Sequence, residues 1–383
     1  MIHMTMSSFW AYHMPTRIVF GECIGEIGSI ATEFGAKRAL IVTGSTAMRK
    51  HGVTAQVANS LRPIDVEVFD GVEPNPSMTT YENAQRMLRD KKCDFVIGLG
   101  GGSPMDIAKA IAAVGNTEIS VGDLFNPPIK IGGRLPTVAI PTTSGSGSEV
   151  TPFSIVTDAE SGIKRVANHP LLYPNVALVD PSLCKTMPKN VTAHTGFDAI
   201  SHAVEAYWSK RAQPISDIFA LDALRHIMPS LKMAFDEPMN TAARSEMALG
   251  SVQAGIAIGT SGSTATHAIS FPLTVKFGIP HGLACFLTLP QFLKFNATSI
   301  PNKTPGLLRA MGVDSIDEAY KLMIQLVADM GQPTRLSEVG IGKDDIQWLV
   351  EHSFGSQRQR NAILNNPREA KEEDVERILA DLL

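Results

Sequence analysis

The chain has 383 residues, 44% of them hydrophobic and 19% charged, which suits a globular protein of two domains. Its formal net charge of −4 excludes the basic excess of a typical nucleic-acid-binding protein. No apolar run reaches the roughly 18 residues of a transmembrane helix, and the first fifteen residues do not predict a signal peptide. The four cysteines are far apart in sequence, which favours reduced thiols and a cytoplasmic location.

The first half of the chain alternates short apolar runs with segments of helical periodicity. A continuous apolar run such as ALIVTG is typical of a buried parallel strand, and the repetition predicts a mostly parallel sheet covered by helices. The predicted strands are 17–20, 39–44, 66–71, 94–102, 136–143, 153–158 and 176–181. The predicted helices are 24–35, 46–61 with a break near Gly52, 77–90 and 104–114.

Beyond residue 185 the pattern becomes almost entirely helical, with apolar residues three and four positions apart. The fold class predicted is therefore α/β plus all-α. We expect a Rossmann-like parallel-sheet domain at 1–185 and a helical domain at 186–383. The clearest helical segments are 198–210, 216–235, 242–259, 314–331 and 372–383.

Two glycine-rich turns follow predicted strands. In IGLGGGSPMDIAKA, three consecutive glycines precede a helix whose free backbone N–H groups suit a pyrophosphate. In PTTSGSGSE, at 141–149, hydroxyls and glycines again follow a strand, and both turns should meet at one edge of the sheet. Glycines that merely form tight turns are the alternative, and the GxGxxG fingerprint itself is absent.

One carboxylate and three imidazoles suggest a metal site. Asp198 and His202 are four residues apart in a predicted helix and share a face, while His267 and His281 lie in apolar settings. Such oxygen and nitrogen ligands, with no sulfur, suit Fe²⁺ or Zn²⁺. The alternative is a hydrogen-bonded helical pair with two core histidines, and His194 is a further candidate as ligand or supporting residue.

From end to end, the chain resembles the iron-containing alcohol dehydrogenase family. The motifs occur in the family's order: VEPNPS, IGLGGGSPMDIAKA, PTTSGSGSEVT, PNVALVDP, TAHTGFDAISHAVEAY, IPHG and NNPRE. The resemblance implies a dehydroquinate synthase-like fold, with a Rossmann-like domain, a helical domain, and cofactor and metal in the cleft between them.

The resemblance also assigns residues to the sites. The implied metal ligands are Asp198, His202, His267 and His281. The implied pyrophosphate turn is Gly100, Gly101, Gly102 and Ser103, with Asp106 on the following helix. Further implied cofactor contacts are Asn75, Thr142, Thr143 and Lys164.

Three departures from the family pattern affect specificity. Gly44 stands where many members carry an Asp that holds the adenosine ribose, so the cofactor is NAD(H) or NADP(H). Phe271 replaces a histidine near the nicotinamide, so a proton must come from metal-linked water or a ribose hydroxyl. Arg358 and Arg360 lie in a segment near the family's substrate, where guanidinium groups suit a sulfonate, phosphonate or carboxylate tail; a solvent-exposed basic turn is the alternative.

The activity implied is reversible hydride transfer between the nicotinamide and a small primary alcohol or aldehyde. A divalent ion, Fe²⁺ or Zn²⁺, would polarise the substrate oxygen. Alternatives are a metal- and NAD-dependent synthase or lyase of the same fold, a zinc-dependent glycerol-type polyol dehydrogenase, and a non-catalytic nucleotide-binding module. Steady NAD(P)H consumption with an aldehyde separates the first of these from a reductase. The resemblance also implies a homodimer or larger homo-oligomer, with no nucleic-acid or membrane partner.

Overall fold

Eight strands lie in the residues that the structure, a computed structural model, describes: 10–126, 128–129, 131–157 and 164–383. Two parts of the sequence predictions lie outside these ranges: residues 1–9 at the N-terminus, and Asp158 of the predicted strand 153–158. The strands are β1 (Arg17–Phe20), β2 (Arg38–Gly44), β3 (Asp65–Val72), β4 (Phe95–Gly100), β5 (Thr137–Pro141), β6 (Phe153–Thr157), β7 (Lys164–Asn168) and β8 (Val176–Val179).

Six of these strands form one parallel sheet in the order β1-β8-β5-β4-β2-β3. The central strands β4, β5 and β8 are buried along their whole length, because helices cover the sheet on both faces. The helices of this half are α1 (Ile27–Glu33), α2 (Ala47–Lys50), α3 (Val53–Ser60), α4 (Met78–Asp90) and α5 (Gly102–Val114). The parallel sheet and the break near Gly52 are confirmed.

The second half of the chain is helical, as predicted. Its core contains buried residues from nearly all of its helices. The helices are α6 (Lys189–Trp208), α7 (Pro214–Asp236), α8 (Thr241–Ser261), α9 (Ala265–Phe277), α10 (His281–Ala297), α11 (Thr304–Met311), α12 (Ile316–Asp329), α13 (Lys343–Ser353), α14 (Gln357–Leu364) and α15 (Glu372–Ala380). No helix in the described ranges is long and apolar enough to cross a membrane.

The segment at 153–168 differs from the prediction. β6 was expected as another strand of the main sheet, but it pairs antiparallel with β7 in a separate two-stranded sheet. β7 itself was not predicted, because KRVAN is short, mostly polar and without an apolar run. Four of its five residues line a cavity and only Ala167 lies in the core, so hydrophobic periodicity gives no signal there.

The two halves pack against each other through α8. A small apolar cluster joins Val150, Ala177 and Val179 of the first half to Ala248, Val252 and Ile256 of α8. At Gly255 an added Cβ would lie 2.8 Å from the Cα of Gly147, so the backbones touch there. This contact fixes the loop after β5 relative to the helical half. The division at 185/186 falls between β8 and α6 and stays a prediction.

Candidate active site

The turn between β4 and α5 is built for a close approach of backbone and ligand. Gly100 ends the strand at φ +144°, a conformation that favours glycine. Gly101 precedes α5 without any side-chain cap, so N–H groups of the first helical turn remain available to an anion. At Gly98, a Cβ would lie 2.7 Å from the Cα of Met105, so glycine also allows the helix to pack tightly on the strand.

A cavity of about 820 Å³ runs from this turn into the helical half. Predicted residues from both halves line it: Asn75, Gly102, Ser103, Asp106, Lys164, His202, His267, Phe271, His281 and Arg358. Seven predicted residues do not line this cavity. Five are predicted cofactor contacts, namely Gly44, Gly100, Gly101, Thr142 and Thr143, and the other two are Asp198 and Arg360. The glycine turn and the imidazoles therefore line the same cavity, which is large enough for a ligand that contacts both.

Asp198 lies at the centre of the three predicted imidazole ligands. Its Oδ1 is 3.7 Å from Nε2 of His202, 3.9 Å from Nε2 of His267 and 3.8 Å from Nε2 of His281. Two donors bound to one ion can be separated by at most about 4.2 Å, the sum of two metal–ligand bonds. The four predicted ligands come together from α6, α9 and α10 and satisfy this limit around Asp198.

The donor atoms themselves indicate a cation. Asp198 Oδ1 and His267 Nε2 are buried and have no hydrogen-bond partner in the part of the chain that the structure describes. Buried carboxylate oxygens are almost always paired, because burying an isolated charge is costly. The residues present therefore fit a divalent ion.

A second, overlapping donor set was missed by the sequence analysis. Asp198, His267, His281 and Cys285 offer four ligand atoms that all lie within 4.8 Å of one another, a set that replaces His202 with a thiol. The distances from Asp198 Oδ1 support His202 as well. Cys285 follows His281 by four residues on α10, so its helical spacing was the available signal.

Supporting hydrogen bonds orient the imidazoles. His267 Nδ1 contacts a carboxylate oxygen of Glu205, whose other oxygen accepts from Thr264 Oγ1 at 2.6 Å and from the Thr266 N–H at 2.9 Å. Burial raises the pKa of Glu205, but attraction to His267 and these hydrogen bonds outweigh it and lower the pKa to about 2. Glu205 is therefore an ionised positioning residue for a candidate ligand. It lies in the same motif as Asp198, but sequence alone did not reveal its distant partner.

His202 and His281 are supported differently. Nδ1 of His202 lies 3.2 Å from the carbonyl oxygen of Gly145, in the loop after β5. Nδ1 of His281 lies 3.4 Å from Oγ of Ser270. His194, the further candidate, pairs instead with Gln332 at 2.8 Å, so its ring is engaged outside the cluster.

Asp106 lines the cavity, but its carboxylate is engaged within the protein. It accepts from the Ile155 N–H at 3.0 Å, contacts Ser148 Oγ, and forms an ion pair of 3.0 Å with the fully buried Lys109. These bonds tie α5 to the second glycine-rich loop and to β6. The structure thus gives Asp106 a role in shaping the cavity wall, and its contact with a cofactor stays a prediction.

Two cations flank Phe271 beside His281. Lys164 Nζ lies 5.7 Å, and the Arg358 guanidinium carbon 5.0 Å, from the centre of the Phe271 ring. Burial lowers the pKa of Lys164 to about 8 and that of Arg358 to about 10. Nη1 of Arg358 is buried without a hydrogen-bond partner among the described residues. Arg360 is exposed and donates to the Phe354 carbonyl oxygen at 2.6 Å, outside this group.

A pyrophosphate-type turn and a cluster of metal donors that share one cavity are what a metal-dependent dehydrogenase requires. A family model described as iron-containing alcohol dehydrogenase matches residues 15–181, and its C-terminal companion matches residues 192–383. The chain belongs to the iron-containing alcohol dehydrogenase family. It is a metal-dependent, nicotinamide-linked alcohol dehydrogenase or aldehyde reductase for small substrates.

Individual relatives cover nearly the whole chain. The 1,3-propanediol dehydrogenase of Citrobacter freundii is 34% identical over 391 residues, which is 96% of this chain and 97% of that protein. The lactaldehyde reductase of Escherichia coli strain K12 is 32% identical, over 94% and 98%. The crystal structure of sulfoacetaldehyde reductase from Bifidobacterium kashiwanohense with NAD⁺ has a TM-score of 0.92 at 33% identity, over 98% and 99%.

The first prediction concerns Glu205. In Glu205→Gln the side chain loses its charge and presents an amide N–H₂ toward the N–H and hydroxyl donors, so His267 should be less firmly held. We expect the affinity for Zn²⁺ or Fe²⁺ to fall about 10–100-fold, measured by chelator competition. The control is Glu246→Gln, since Glu246 also contacts a histidine Nδ1, of His226, but at the surface. Equal metal affinities in the two variants would contradict the positioning role.

The second prediction concerns Gly282, directly after His281. A Cβ at this position would lie 2.8 Å from Asp198 Cβ and would overlap the backbone oxygen of His194. Gly282→Ala should force α10 away from α6, reduce metal content, and lower the free energy of unfolding by about 1–3 kcal/mol. Metal analysis and denaturant unfolding measure both effects. Gly25→Ala, where no atom lies within 4 Å, is the control; a similar result for both variants would refute this packing argument.

Proposed function

We propose that this dehydrogenase acts on a small aldehyde or alcohol that carries an anionic group, such as a sulfonate, phosphonate or carboxylate. The observation that carries this proposal is the pair of half-buried cations beside the imidazole cluster. Lys164 and Arg358 line the same cavity as His281, and neither forms an ion pair with a carboxylate of the described residues. Burial already depresses the pKa of both groups, so an anionic ligand would relieve an unfavourable arrangement.

The site residues are assigned as follows. Asp198, His202, His267 and His281 would hold the ion, which when bound polarises the substrate oxygen. The turn at Gly100, Gly101, Gly102 and Ser103 would bind the pyrophosphate. Further contacts to the cofactor would come from Asn75, Thr142 and Thr143. Arg358 would orient the anionic end of the substrate by forked hydrogen bonds, while Lys164 and Phe271 flank it.

The proton required for reduction cannot come from position 271, because Phe271 has no titratable group. Its ring is parallel to His281, with 6.0 Å between the ring centres and an interplanar angle of 4°. The two cations Lys164 and Arg358 lie over the same ring. The groups that position the substrate here are therefore different from the group that supplies the proton.

The names of the relatives include both charged and uncharged substrates, so the choice rests on the charges of this chain. The Bifidobacterium kashiwanohense protein bears the name of an aldehyde with a sulfonate, whereas the propanediol and lactaldehyde enzymes bear the names of uncharged substrates. A glycerol-type polyol substrate would leave both half-buried cations without a partner. The anionic class is thus favoured by the charges of this chain.

The third prediction tests Arg358. Arg358→Gln should lower kcat/KM for sulfo-, phosphono- and carboxy-aldehydes about 10–100-fold, because a hydrogen bond to a charged group contributes about 1.5–3 kcal/mol. Turnover of an uncharged aldehyde of similar length, such as propanal, should change little. Steady-state NAD(P)H oxidation on metal-loaded enzyme provides the measurement.

Arg360→Gln is the matched control, since Arg360 is exposed and lies only two residues further along α14. It should leave all substrates unaffected. If propanal were the best substrate of the unaltered enzyme, or if Arg358→Gln lowered charged and uncharged turnover equally, the anionic assignment would be wrong.

The fourth prediction concerns the choice between NADH and NADPH. Gly44 ends β2, and a Cβ there would make only an ordinary contact, 3.5 Å from the carbonyl oxygen of Val72. We propose that the absence of a carboxylate at this position admits NADPH. Gly44→Asp should raise the KM for NADPH at least tenfold relative to that for NADH, roughly 1.4 kcal/mol.

Gly44→Asn is the control for this change, because it has the same shape without the charge. Its KM ratio should stay near that of the unaltered enzyme. An unaltered enzyme that uses NADH alone would overturn the proposal about Gly44.

A cytoplasmic location and a homo-oligomer remain proposals. All four cysteines are buried and unpaired, as expected of a reducing compartment. Large apolar side chains such as Ile218, 63% exposed, and Met239, 70% exposed, offer surface that a second subunit would cover. A single-subunit mass in solution would refute the oligomer.

A further inference from the structure

Cys285 lies directly against the imidazole cluster. It occupies α10 one turn after His281, and its Sγ is 3.9 Å from Nε2 and 4.0 Å from Nδ1 of that ring. Its side chain is fully buried. The Sγ lies within 4.8 Å of ligand atoms from Asp198 and His267 as well as His281.

A second observation, separate from the position of Cys285, also indicates an ion at this place. Asp198 Oδ1 and His267 Nε2 are buried atoms that lack hydrogen-bond partners among the described residues, and the His267 side chain is more than nine-tenths buried. A sulfur and a nitrogen bound to one ion are about 3.6 Å apart at a tetrahedral angle and at most about 4.4 Å apart. The Sγ to Nε2 distance of 3.9 Å for Cys285 and His281 lies between these values.

We propose that Cys285 is a sulfur ligand of the ion held by Asp198, His267 and His281. On coordination the thiol releases its proton to solvent and binds as the thiolate, with no change in oxidation state. The proposal adds a ligand to the nitrogen and oxygen set expected from the sequence.

The position of Cys285 is compatible with catalysis. His202, His267 and His281 line the large cavity, whereas Cys285 does not. The sulfur therefore approaches from the protein-filled side, and the cavity side remains open to a substrate oxygen. Catalytic metal sites need such an open position.

A thiolate ligand alters which ion the site prefers. Soft sulfur donors favour Zn²⁺ over harder ions, whereas a purely nitrogen and oxygen set discriminates less. Cys285 is thus expected to shift the metal preference of this chain toward zinc.

The first test uses the complete protein loaded with Co²⁺, a spectroscopic substitute for zinc. The unaltered protein should show a near-ultraviolet thiolate-to-cobalt charge-transfer band together with the visible bands of bound cobalt. In Cys285→Ser the charge-transfer band should disappear while the visible bands persist. Visible cobalt bands without a charge-transfer band in the unaltered protein, or a band that survives in Cys285→Ser, would overturn the proposal.

Cys184→Ser is the matched control, because Cys184 is also a buried thiol but contacts Ser144 at 3.7 Å, outside the metal cluster. It should keep the full charge-transfer band. If only Cys184→Ser lost the band, the sulfur ligand would be Cys184 and the assignment to Cys285 would be wrong.

A second measurement needs no variant. X-ray absorption of the zinc-loaded protein should contain one sulfur at about 2.3 Å from the metal, and a shell of only nitrogen and oxygen would overturn the assignment. Zinc affinity of Cys285→Ser should also fall at least tenfold, the lower bound for losing even an indirect partner. None of these readouts depends on the substrate, so they succeed or fail independently of the proposed anionic specificity.

Discussion

The site depends on one carboxylate oxygen. Asp198 Oδ1 is buried, has no hydrogen-bond partner among the described residues, and faces three imidazole nitrogens at 3.7, 3.9 and 3.8 Å. An isolated buried carboxylate costs roughly several kcal/mol. A cation among these atoms satisfies all of them at once. The close contact of α10 with α6 at Gly282 and the hydrogen bond from His267 to the Glu205 carboxylate both maintain this arrangement.

The same constraint joins the two halves of the molecule. His202 contacts Gly145 in the loop after β5, and the Gly147 backbone in that loop touches Gly255 of α8. The metal donors and the glycine turn after β4 are therefore held on opposite parts of one cavity by direct contacts. Hydride transfer requires such fixed positions, because the reacting carbon atoms must come within about 3–3.5 Å.

The elements that periodicity or local spacing controls were predictable from the sequence. The buried parallel strands, the glycine turn into α5 and the Asp198–His202 pair all depend on neighbouring residues. Glu205 acts through a contact with His267 that forms only when α6 and α9 pack, so its role was not visible. Cys285 had a local signal, its spacing of four residues from His281, but its proximity to Asp198 and His267 also depends on helix packing. The sequence also did not decide between Arg358 and Arg360. Residues two positions apart point in directions roughly 200° apart around a helix, so only one of the two can face the cavity. β6 was predicted as a strand, but β7 and its antiparallel pairing with β6 were missed, because most of β7 lines a polar cavity.

The origin of the donors on three helices has a consequence for how the enzyme matures. Before α6, α9 and α10 dock, an incoming ion meets no more than a weak pair of donors on any one helix, Asp198 and His202 on α6 or His281 and Cys285 on α10. High-affinity capture therefore follows the assembly of the helical half instead of preceding it. The metal in the finished enzyme thus depends on the ions available at that late stage as well as on the preference of the assembled donors.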